Sequence, residues 1–469
     1  MKVLLLMPPY PKGKIFRKSM KHLGAVLPPL GITYIAAVLE KHGHEVNIID
    51  GPALSTVEDY NFSNLSSDLK KINPDVIGVS ASTSQYSDVH KTMGLIKEIL
   101  PNTKIILGGP IITGDPNQLL NFPEVECAVH GEAEFVFNDI VNSLEKTGKV
   151  QIIDGVIFNK NGSVKVTKPP IVENIDDIPM PARHLLKMNL YKPSPANYRR
   201  LPATTMITSR GCPYQCIFCA TGHSEFRPHS SKRVIEEIEV LINDFGIKDI
   251  QIFDDTFTLL PKRTEEICNG IIEKKLNISW NCYTRVDRIS LDLLKLMKKA
   301  GCYETGFGIE SGSKRILDFI KKGITIEQIK NGVKWAKEAK IDVRGFFTMG
   351  YPTETQEEIV QTINFAKELD VDIAQFMIAT PLPGTELWEI ANKMGTINEE
   401  DWSSFTFYAP TNMPISTNSI SEKELLDLYK KAYRSFYLRP SYIVNQITKI
   451  RSIEDIKRIY LAGKGIIGM

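Results

Sequence analysis

Apolar and polar residues alternate with two different periods along residues 1–135. Continuous apolar runs of four to seven residues predict strands, and apolar residues repeated on one helical face predict helices between them. The predicted strands are 3–7, 44–50, 74–80, 104–107 and 127–130, and the predicted helices include 31–42 and 87–100. Strands that alternate with helices of this length need crossover connections. The pattern therefore predicts a doubly wound, Rossmann-like α/β domain with a parallel sheet.

The predicted strands of this first domain end in small, flexible or polar residues. These strand ends are Pro8-Pro9-Tyr10, Ser80 to Thr83, Gly108-Gly109-Pro110 and Gly131-Glu132. In open parallel sheets, ligands bind beyond the carboxyl ends of the strands. The sequence therefore predicts a ligand site along this edge of the sheet.

A second alternating series begins near Pro202, after a predicted hairpin at 155–166 and a proline-rich linker. Its predicted strands are 206–209, 249–253, 279–283, 303–309, 343–349 and 373–378, and its predicted helices include 233–245, 291–299, 326–339 and 357–369. Six such βα units suit a partial TIM-type (β/α)6 barrel. Beyond residue 401 the pattern is mostly helical, most clearly at 421–436. The expected divisions are 1–145, 146–200, 201–400 and 401–469.

Charge and composition exclude several classes of protein. The chain of 469 residues carries 57 Lys and Arg against 55 Asp and Glu, which gives a net charge of +2. This balance argues against a nucleic-acid coat, whose affinity depends on clustered cations. No signal peptide is evident, and no stretch reaches the ~20 apolar residues of a membrane-spanning helix. Seven cysteines, an odd number spread thinly, do not suggest a disulfide framework, so the sequence predicts a cytoplasmic protein.

The strongest chemical signal is a group of three cysteines on the loop after the first strand of the second series. Cys212, Cys216 and Cys219 follow one another at CxxxCxxC spacing. Three thiolates so placed can converge on a soft metal centre, and three is one fewer than a closed zinc or iron–sulfur site requires. A [4Fe–4S] cluster held by three thiolates leaves one iron open. The alternatives are a zinc site completed by His223 or His229 and an accidental grouping of loop cysteines.

At this point the chain resembles the radical S-adenosylmethionine (SAM) superfamily. The signature of that superfamily is CxxxCxxC with an aromatic residue before the third cysteine, and Phe218 occupies that position. The resemblance implies that the open iron chelates SAM and that one electron cleaves SAM to a 5′-deoxyadenosyl radical. Cys127, Cys268, Cys282 and Cys302 are expected to be packing residues.

Later strand ends match the same superfamily with lower specificity, one per βα unit. By resemblance, Asp254 and Asp255 face the methionine ammonium group, Arg285 pairs with the SAM carboxylate, and Glu310 and Ser311 lie near the ribose. The stretches that end at Gly350 and begin at Thr380 resemble those that pack on adenine. Each match alone has an ordinary explanation, since Asp-Asp can cap a helix and glycine-rich strand ends form turns.

A doubly wound domain ahead of such a barrel resembles the cobalamin-dependent subclass. The resemblance implies that small residues at the strand ends leave room for a corrin ring, and the corresponding positions are Pro9, Tyr10, Ser80, Thr83, Gly108, Gly109, Gly131 and Glu132. The Asp-x-His-x-x-Gly motif of many cobalamin domains is absent in its usual form. The nearest match, Asp88-Val-His90-Lys-Thr-Met-Gly94, has one residue too many between the histidine and the glycine, and it lies on a predicted helix. No histidine is therefore expected beneath cobalt. The alternative is a flavodoxin-like domain that merely caps the barrel.

The leading functional hypothesis is a methyltransferase that moves a methyl group from methylcobalamin to an unactivated carbon of a small or lipid-like substrate. A flavodoxin or ferredoxin is the expected electron donor. A second hypothesis keeps the [4Fe–4S] cluster, SAM and cobalamin but ends in oxidative cyclisation, ring contraction or carbon–carbon coupling. A third is a zinc-stabilised binding protein without catalysis. The aromatic and basic segment 429–437 is expected to be an amphipathic packing helix.

Overall fold

The computed structural model describes residues 1–9, 26–82, 85–160, 162–169, 171–397 and 419–448, together with residue 463. Tyr10 and Thr83 lie outside the described residues, as do residues 401–418 and most of the basic segment 447–459. The described residues fall into two compact units, one of residues 1–9 and 26–191 and one of residues 192–397 and 419–448.

The first unit contains a seven-stranded sheet in the order β2-β1-β3-β4-β5-β6-β7. Its strands are β1 (Lys2–Met7), β2 (Glu45–Asp50), β3 (Val76–Ser80), β4 (Lys104–Gly108), β5 (Cys127–Val129), β6 (Val156–Lys160) and β7 (Ser163–Lys165). The first five are parallel, as the crossover argument predicts. The predicted hairpin forms β6 and β7, and it pairs antiparallel with β5, so it extends this sheet.

Helices cover both faces of this sheet. They are α1 (Leu30–Lys41), α2 (Gly51–Glu58), α3 (Phe62–Ile72), α4 (Tyr86–Ile99), α5 (Pro110–Gly114) and α6 (Glu134–Thr147). Apolar residues on the two faces of the strands enter two separate cores, one that includes Leu4 and Leu6 and one that includes Val3 and Leu5. Burial on both faces explains why β1 is a continuous apolar run. The doubly wound prediction is confirmed.

The second unit contains a six-stranded, wholly parallel sheet in the order β8-β11-β12-β13-β14-β15. Its strands are β8 (Ala203–Met206), β11 (Asp249–Ile252), β12 (Ser279–Thr284), β13 (Cys302–Glu310), β14 (Asp342–Met349) and β15 (Ile373–Ile378). Between β8 and β11 in sequence, β9 (Ser209–Arg210) and β10 (Arg227–Pro228) form a separate antiparallel pair. Strands in simple sequence order with open edges form the predicted partial barrel.

The helices of the second unit alternate with its strands and are followed by two further helices. They are α7 (Ser231–Asn243), α8 (Pro261–Glu273), α9 (Leu291–Lys299), α10 (Lys314–Phe319), α11 (Ile326–Glu338), α12 (Gln356–Leu369), α13 (Glu386–Lys393), α14 (Glu422–Tyr437) and α15 (Pro440–Thr448). Alternate strand residues such as Trp280, Phe307 and Phe347 pack in the core with these helices. The residues between them face the concave side of the sheet, because successive side chains point to opposite faces.

Helix α14 is the amphipathic packing helix that the sequence predicts. Its Tyr433 hydroxyl donates to the main-chain oxygen of Phe376, and its Tyr437 hydroxyl donates to that of Ala374, both on β15. The helix therefore closes the outer side of the last barrel strand. Among the described helices, none combines the length and apolarity needed to cross a bilayer.

Candidate active site

The three cysteines of the CxxxCxxC segment lie on one loop whose base is closed by strands β9 and β10. Gly211 begins the loop with a φ of 83°. A Cβ at this position would lie 2.0 Å from the main-chain oxygen of Glu225, so only glycine fits. Cys212 and Ser224 close the loop above it, because each main-chain N–H donates to the other residue, at 3.0 and 3.1 Å.

Ile217, between the second and third cysteines, fixes the loop to the barrel. Its side chain is buried in the barrel core. Its main-chain N–H donates to the oxygen of Ile320 at 3.2 Å, and its own oxygen accepts from Leu387 at 2.8 Å. The segment that carries Cys216 and Cys219 is therefore held between the end of α10 and the start of α13.

The thiols fit a cluster better than a single metal ion. Cys212 and Cys216 are buried, whereas Cys219 is half-buried. Within the described part of the chain, no three His, Cys, Asp or Glu side chains converge tightly enough to hold one ion. A zinc site needs its ligand atoms within about 2.0–2.3 Å of the metal. The described residues show no preformed single-ion site with His223 or His229, and three thiols on one loop leave one iron of a [4Fe–4S] cluster open.

A buried ion pair lies beside Cys216. Nζ of Lys322 donates to Oε1 of Glu310 at 2.8 Å, and both side chains are less than a tenth exposed. The other carboxylate oxygen of Glu310 accepts from the Thr348 hydroxyl at 2.9 Å. Burial alone would lower the pKa of Lys322. The nearby Glu310 carboxylate and, to a lesser extent, Cys216 raise this pKa by more than burial lowers it. The pKa therefore lies above its ordinary value, and the lysine is charged.

Gly308 makes room for this ion pair. A Cβ at Gly308 would lie 2.6 Å from Nζ of Lys322 and 2.7 Å from Oε1 of Glu310. Glu310 itself has a φ of 64°, at a shift in the register between β13 and β14. A non-glycine residue in the left-handed region is uncommon and concentrates at functional sites. The strained backbone directs Glu310 toward the lysine.

Arg285, the residue that the resemblance assigns to the SAM carboxylate, is committed to protein partners. Its guanidinium lies 3.6 Å from the ring centroid of Tyr214 on the cysteine loop. It also donates to Asp287 at 2.9 Å and to the main-chain oxygen of Lys322 at 2.9 Å. Arg285 thus ties the cysteine loop to the segment that carries Lys322. Lys322, which lies near Cys216, is a residue that the sequence analysis does not single out.

Asp254 and Asp255 are adjacent in sequence but have different partners. Asp254 is buried and accepts four hydrogen bonds, from the main-chain N–H and hydroxyl groups of Thr208 and Ser209, at 2.5–3.1 Å. Asp255 is exposed and accepts from the hydroxyl of Thr221 at 3.0 Å, and that hydroxyl lies 3.2 Å from Sγ of Cys219. Asp254 therefore anchors the start of the cysteine loop, and Asp255 lies beside the cysteines.

Replacement of Asp254 by Ala is expected to lower the free energy of unfolding by about 3 kcal/mol or more, because four donors lose their buried acceptor. Iron retention should fall as well, because the cysteine loop loses its anchor. The matched control is Asp244→Ala at an exposed position, for which a change within about 0.5 kcal/mol is expected. Urea unfolding of the two variants tests the anchor, and equal stabilities would contradict it.

The remaining predicted SAM residues are held by contacts within the barrel. The Ser311 hydroxyl lies 3.0 Å from that of Thr362 on α12, and the Thr380 hydroxyl donates to the oxygen of Ile378 at 3.2 Å. Gly350, with a φ of 86°, donates its N–H to Oε2 of Glu354 at 2.7 Å. Glu354 is fully buried, and its Oε1 has no hydrogen-bond partner among the described residues.

Burial raises the pKa of Glu354 to about 8, so this carboxyl group is mostly protonated at neutral pH. An acid whose pKa is higher in the folded state binds its proton more tightly when folded. The free energy of unfolding should therefore fall as pH rises from about 5 to about 8, by up to about 1.4 kcal/mol per pH unit. Glu354→Gln, which mimics the protonated acid, should remove this slope. Urea unfolding of both proteins between these pH values measures the slope. The same pH dependence of the free energy of unfolding in the wild-type protein and in Glu354→Gln would contradict the prediction.

Three of the other four cysteines meet in the wall of the barrel, although the sequence places them singly. Cys282 on β12, Cys302 on β13 and Cys268 on α8 lie close to one another, and the Cys302 thiol donates to the main-chain oxygen of Glu304 at 3.5 Å. All three are fully buried, and burial raises the pKa of Cys302. Protonated thiols in an apolar core behave as small apolar groups. The packing role expected for them agrees with this environment.

The carboxyl edge of the first sheet is lined by small residues that approach one another closely. Gly109 follows β4 with a φ of 97°, and a Cβ there would lie 2.6 Å from the main-chain oxygen of Ala81. Gly131 follows β5 with a φ of 96°. Glu132, beside it, accepts from the main-chain N–H of Val172 at 2.9 Å. Broad, side-chain-poor strand ends fit a flat ring system.

Three other positions predicted to line this edge are buried or half-buried. Pro9 is buried directly after β1, while Ser80 and Gly108 are half-buried at the ends of β3 and β4. On α6, Oδ1 of Asn138 is buried without a hydrogen-bond partner among the described residues.

His90 lies on helix α4, as the sequence predicts, and not on a strand-end loop. Its ring stacks on Phe122 at 4.3 Å and meets Tyr86 edge to face at 4.8 Å. These contacts are those of a packed helix residue. The structure therefore offers no role for His90 as a cobalt ligand.

Comparison with known proteins agrees with this arrangement. The radical SAM superfamily matches residues 206–366, and the B12 binding domain matches residues 18–141. An uncharacterized methyltransferase of Pyrococcus horikoshii is 38% identical over 98% of this chain and 99% of its own length. The chain belongs to the cobalamin-dependent radical SAM methyltransferase family. Its cofactors are a [4Fe–4S] cluster, SAM and cobalamin.

Two other proteins are similar to this chain over most of its length. The anaerobic magnesium-protoporphyrin IX monomethyl ester cyclase of Rubrivivax gelatinosus is 27% identical over 99% of this chain and 81% of its own length. The cobalamin-dependent SAM radical enzyme OxsB, solved with aqua-cobalamin and SAM bound, covers 98% of this chain, and this chain covers 70% of OxsB. The TM-score is 0.77 at 18% identity, which shows a common fold.

Proposed function

We propose that this radical SAM enzyme methylates an unactivated carbon of a small or lipid-like substrate. The observation that carries the proposal is the presence of two sites in one chain: an open three-thiol loop beside a buried lysine, and a side-chain-poor strand edge of cobalamin-binding type. The 38% identical methyltransferase supports methyl transfer over the cyclase chemistry of the more distant relative.

When bound, the cluster and SAM supply a radical that removes a substrate hydrogen, and cobalamin supplies the methyl group. Cys212, Cys216 and Cys219 are proposed to hold the cluster. Phe218, directly before Cys219, packs against the barrel core, with its ring centroid 6.2 Å from that of Tyr351 and 5.8 Å from Nζ of Lys322. An apolar side chain at this position keeps water away from the thiols.

Lys322 is proposed to bind the SAM carboxylate, with Arg285 behind it as a positioning residue. Lys322 is a buried cation beside Cys216, and the Arg285 guanidinium donates a hydrogen bond to the main-chain oxygen of Lys322. Glu310, Ser311, Gly350, Thr380 and Asp255 remain the proposed surroundings of the rest of SAM. Pro9, Ser80, Gly108, Gly109, Gly131 and Glu132 remain the proposed cobalamin edge.

Product stoichiometry tests the proposal. Methylation consumes two SAM molecules for each methyl group delivered, so one gives S-adenosylhomocysteine and the other gives methionine and 5′-deoxyadenosine. Reconstituted enzyme with cobalamin, SAM and a chemical reductant should form S-adenosylhomocysteine, and omission of cobalamin should abolish it. Formation of 5′-deoxyadenosine without S-adenosylhomocysteine would reject methyl transfer and favour oxidative cyclisation.

An external one-electron donor of the flavodoxin or ferredoxin type is part of the proposal, as is an oxygen-poor cytoplasm as the place of action. The seven cysteines without a disulfide pattern support a reducing compartment. Either donor, reduced enzymatically, should replace the chemical reductant in the assay above.

A further inference from the structure

The concave face of the barrel sheet carries a group of aromatic side chains. Tyr283 on β12 and Phe346 on β14 meet edge to face, with ring centroids 5.3 Å apart and planes at 86°. Phe253, directly after β11, meets Tyr283 in the same way at 5.6 Å and 85°. These three residues are called the aromatic shelf below. Edge-to-face contacts fix the rings relative to one another.

Gly306 on β13 lies beneath two rings of the shelf. A Cβ at Gly306 would lie 2.5 Å from Cδ1 of Tyr283 and 2.9 Å from Cε2 of Phe346. Any side chain at this position would push the rings apart. The absence of a side chain at Gly306 therefore allows Tyr283 of β12 and Phe346 of β14 to contact each other across β13.

The aromatic shelf lies between two charged layers of the same concave face. Toward the amino ends of the strands, Nε of Arg344 pairs with Oε1 of Glu304 at 2.8 Å. Toward the carboxyl ends lie the Lys322–Glu310 pair and the cysteine loop. The shelf itself contains no charged group, and Phe253 remains 38% exposed. Aromatic surface left exposed inside a concave site indicates a place for an apolar ligand.

Gln251, opposite Asn281 on β12, places one polar group beneath the aromatic shelf. It is only 2% exposed, and its Nε2 contacts the Tyr283 hydroxyl of the shelf. Its Oε1 is buried and has no hydrogen-bond partner within the described residues. A buried acceptor without a donor costs about 1–3 kcal/mol, so the protein gains when a ligand supplies that donor.

We propose that the aromatic shelf binds the substrate and that the substrate is a flat, largely apolar ring system whose N–H or O–H group donates to Oε1 of Gln251. Ring faces and edges of the shelf suit a flat apolar body, and the single unpaired acceptor suits a single donor. The inference rests on the proposed function, since it places the methyl acceptor on the same side of the sheet as the cysteine loop.

Binding of two small probes to the reconstituted holoenzyme tests this inference. Indole carries one N–H donor, and 1-methylindole has the same ring without it. Saturation-transfer NMR should show that indole binds about tenfold more tightly, the effect of one hydrogen bond of about 1.4 kcal/mol. Gln251→Met should abolish this difference, whereas Gln361→Met, the same change at an exposed position of α12, should preserve it.

Phe346→Leu provides a second, independent variant. This substitution should lower the affinity of both probes by a similar factor, roughly three- to tenfold, because it removes ring contacts and leaves Gln251 in place. Equal affinities of the two probes for the wild-type enzyme, or an unchanged difference in Gln251→Met, would overturn the inference. Because no turnover is measured, these outcomes leave the methyl-transfer proposal standing, and loss of S-adenosylhomocysteine formation leaves the binding result standing.

Discussion

Replacement of Cys216 by Ala is expected to abolish the broad visible absorption of the reconstituted protein and its cleavage of SAM. Two thiolates do not hold a [4Fe–4S] cluster that already lacks a fourth protein ligand. Cys216 is buried between Lys322 and the anchored main chain of Ile217, so a neighbouring thiol cannot move into its place. Cys212→Ala and Cys219→Ala should behave in the same way.

Cys268→Ala is the matched control, since it makes the same change at another buried cysteine. It should keep the absorption and iron content of the wild-type protein, with only a modest loss of stability from the smaller side chain. Absorption spectra and iron assays of the anaerobically reconstituted variants give the comparison. Retained absorption in Cys216→Ala, or its loss in Cys268→Ala, would contradict the assignment of the cluster ligands.

Lys322→Met is expected to lower the free energy of unfolding by about 3–5 kcal/mol, because it leaves the buried Glu310 carboxylate without its partner. SAM affinity should fall roughly 10- to 100-fold, the value of a hydrogen bond to a charged group. Combination with Glu310→Gln should restore most of the stability but not the SAM affinity. Urea unfolding and equilibrium binding of SAM separate the two effects.

The adjacent residue, Lys321, is the control for this prediction. It pairs with Glu386 at the surface, where both side chains are about 40% exposed or more. Lys321→Met should change stability by no more than about 1 kcal/mol and leave SAM affinity unchanged. If the two lysine variants behaved alike, the buried pair would not be the element that organises this side of the cysteine loop.

These two lysines also show where sequence reasoning ends. Nothing local separates Lys321 from Lys322 in the segment Lys-Lys-Gly. Their difference depends on contacts with β13 and α13, which are distant in sequence. Arg285 is a second case, because its position at a strand end predicts a ligand contact but not its contacts with Asp287 and the main chain of Lys322. The contact with SAM stays a prediction.

Features that depend on local pattern were predictable. Most strands of both sheets and helices such as α9 follow from apolar periodicity, and the three-cysteine loop follows from spacing within eight residues. The first barrel strand is an exception, because β8 lies at Ala203–Met206 and the predicted span is 206–209. Helix α3, with only Leu65 and Leu69 buried, has too few core residues to stand out in the sequence. The meeting of Cys282 with Cys302 depends on strand register, which sequence spacing does not specify.

One chain is expected to hold a three-thiolate [4Fe–4S] cluster and cobalamin together. This can be measured by anaerobic reconstitution with iron, sulfide and hydroxocobalamin, followed by removal of unbound material and quantification. About four irons and four sulfides with one cobalamin per chain are expected. A colourless protein that retains zinc and no iron, or one that binds iron but no cobalamin, would contradict this expectation.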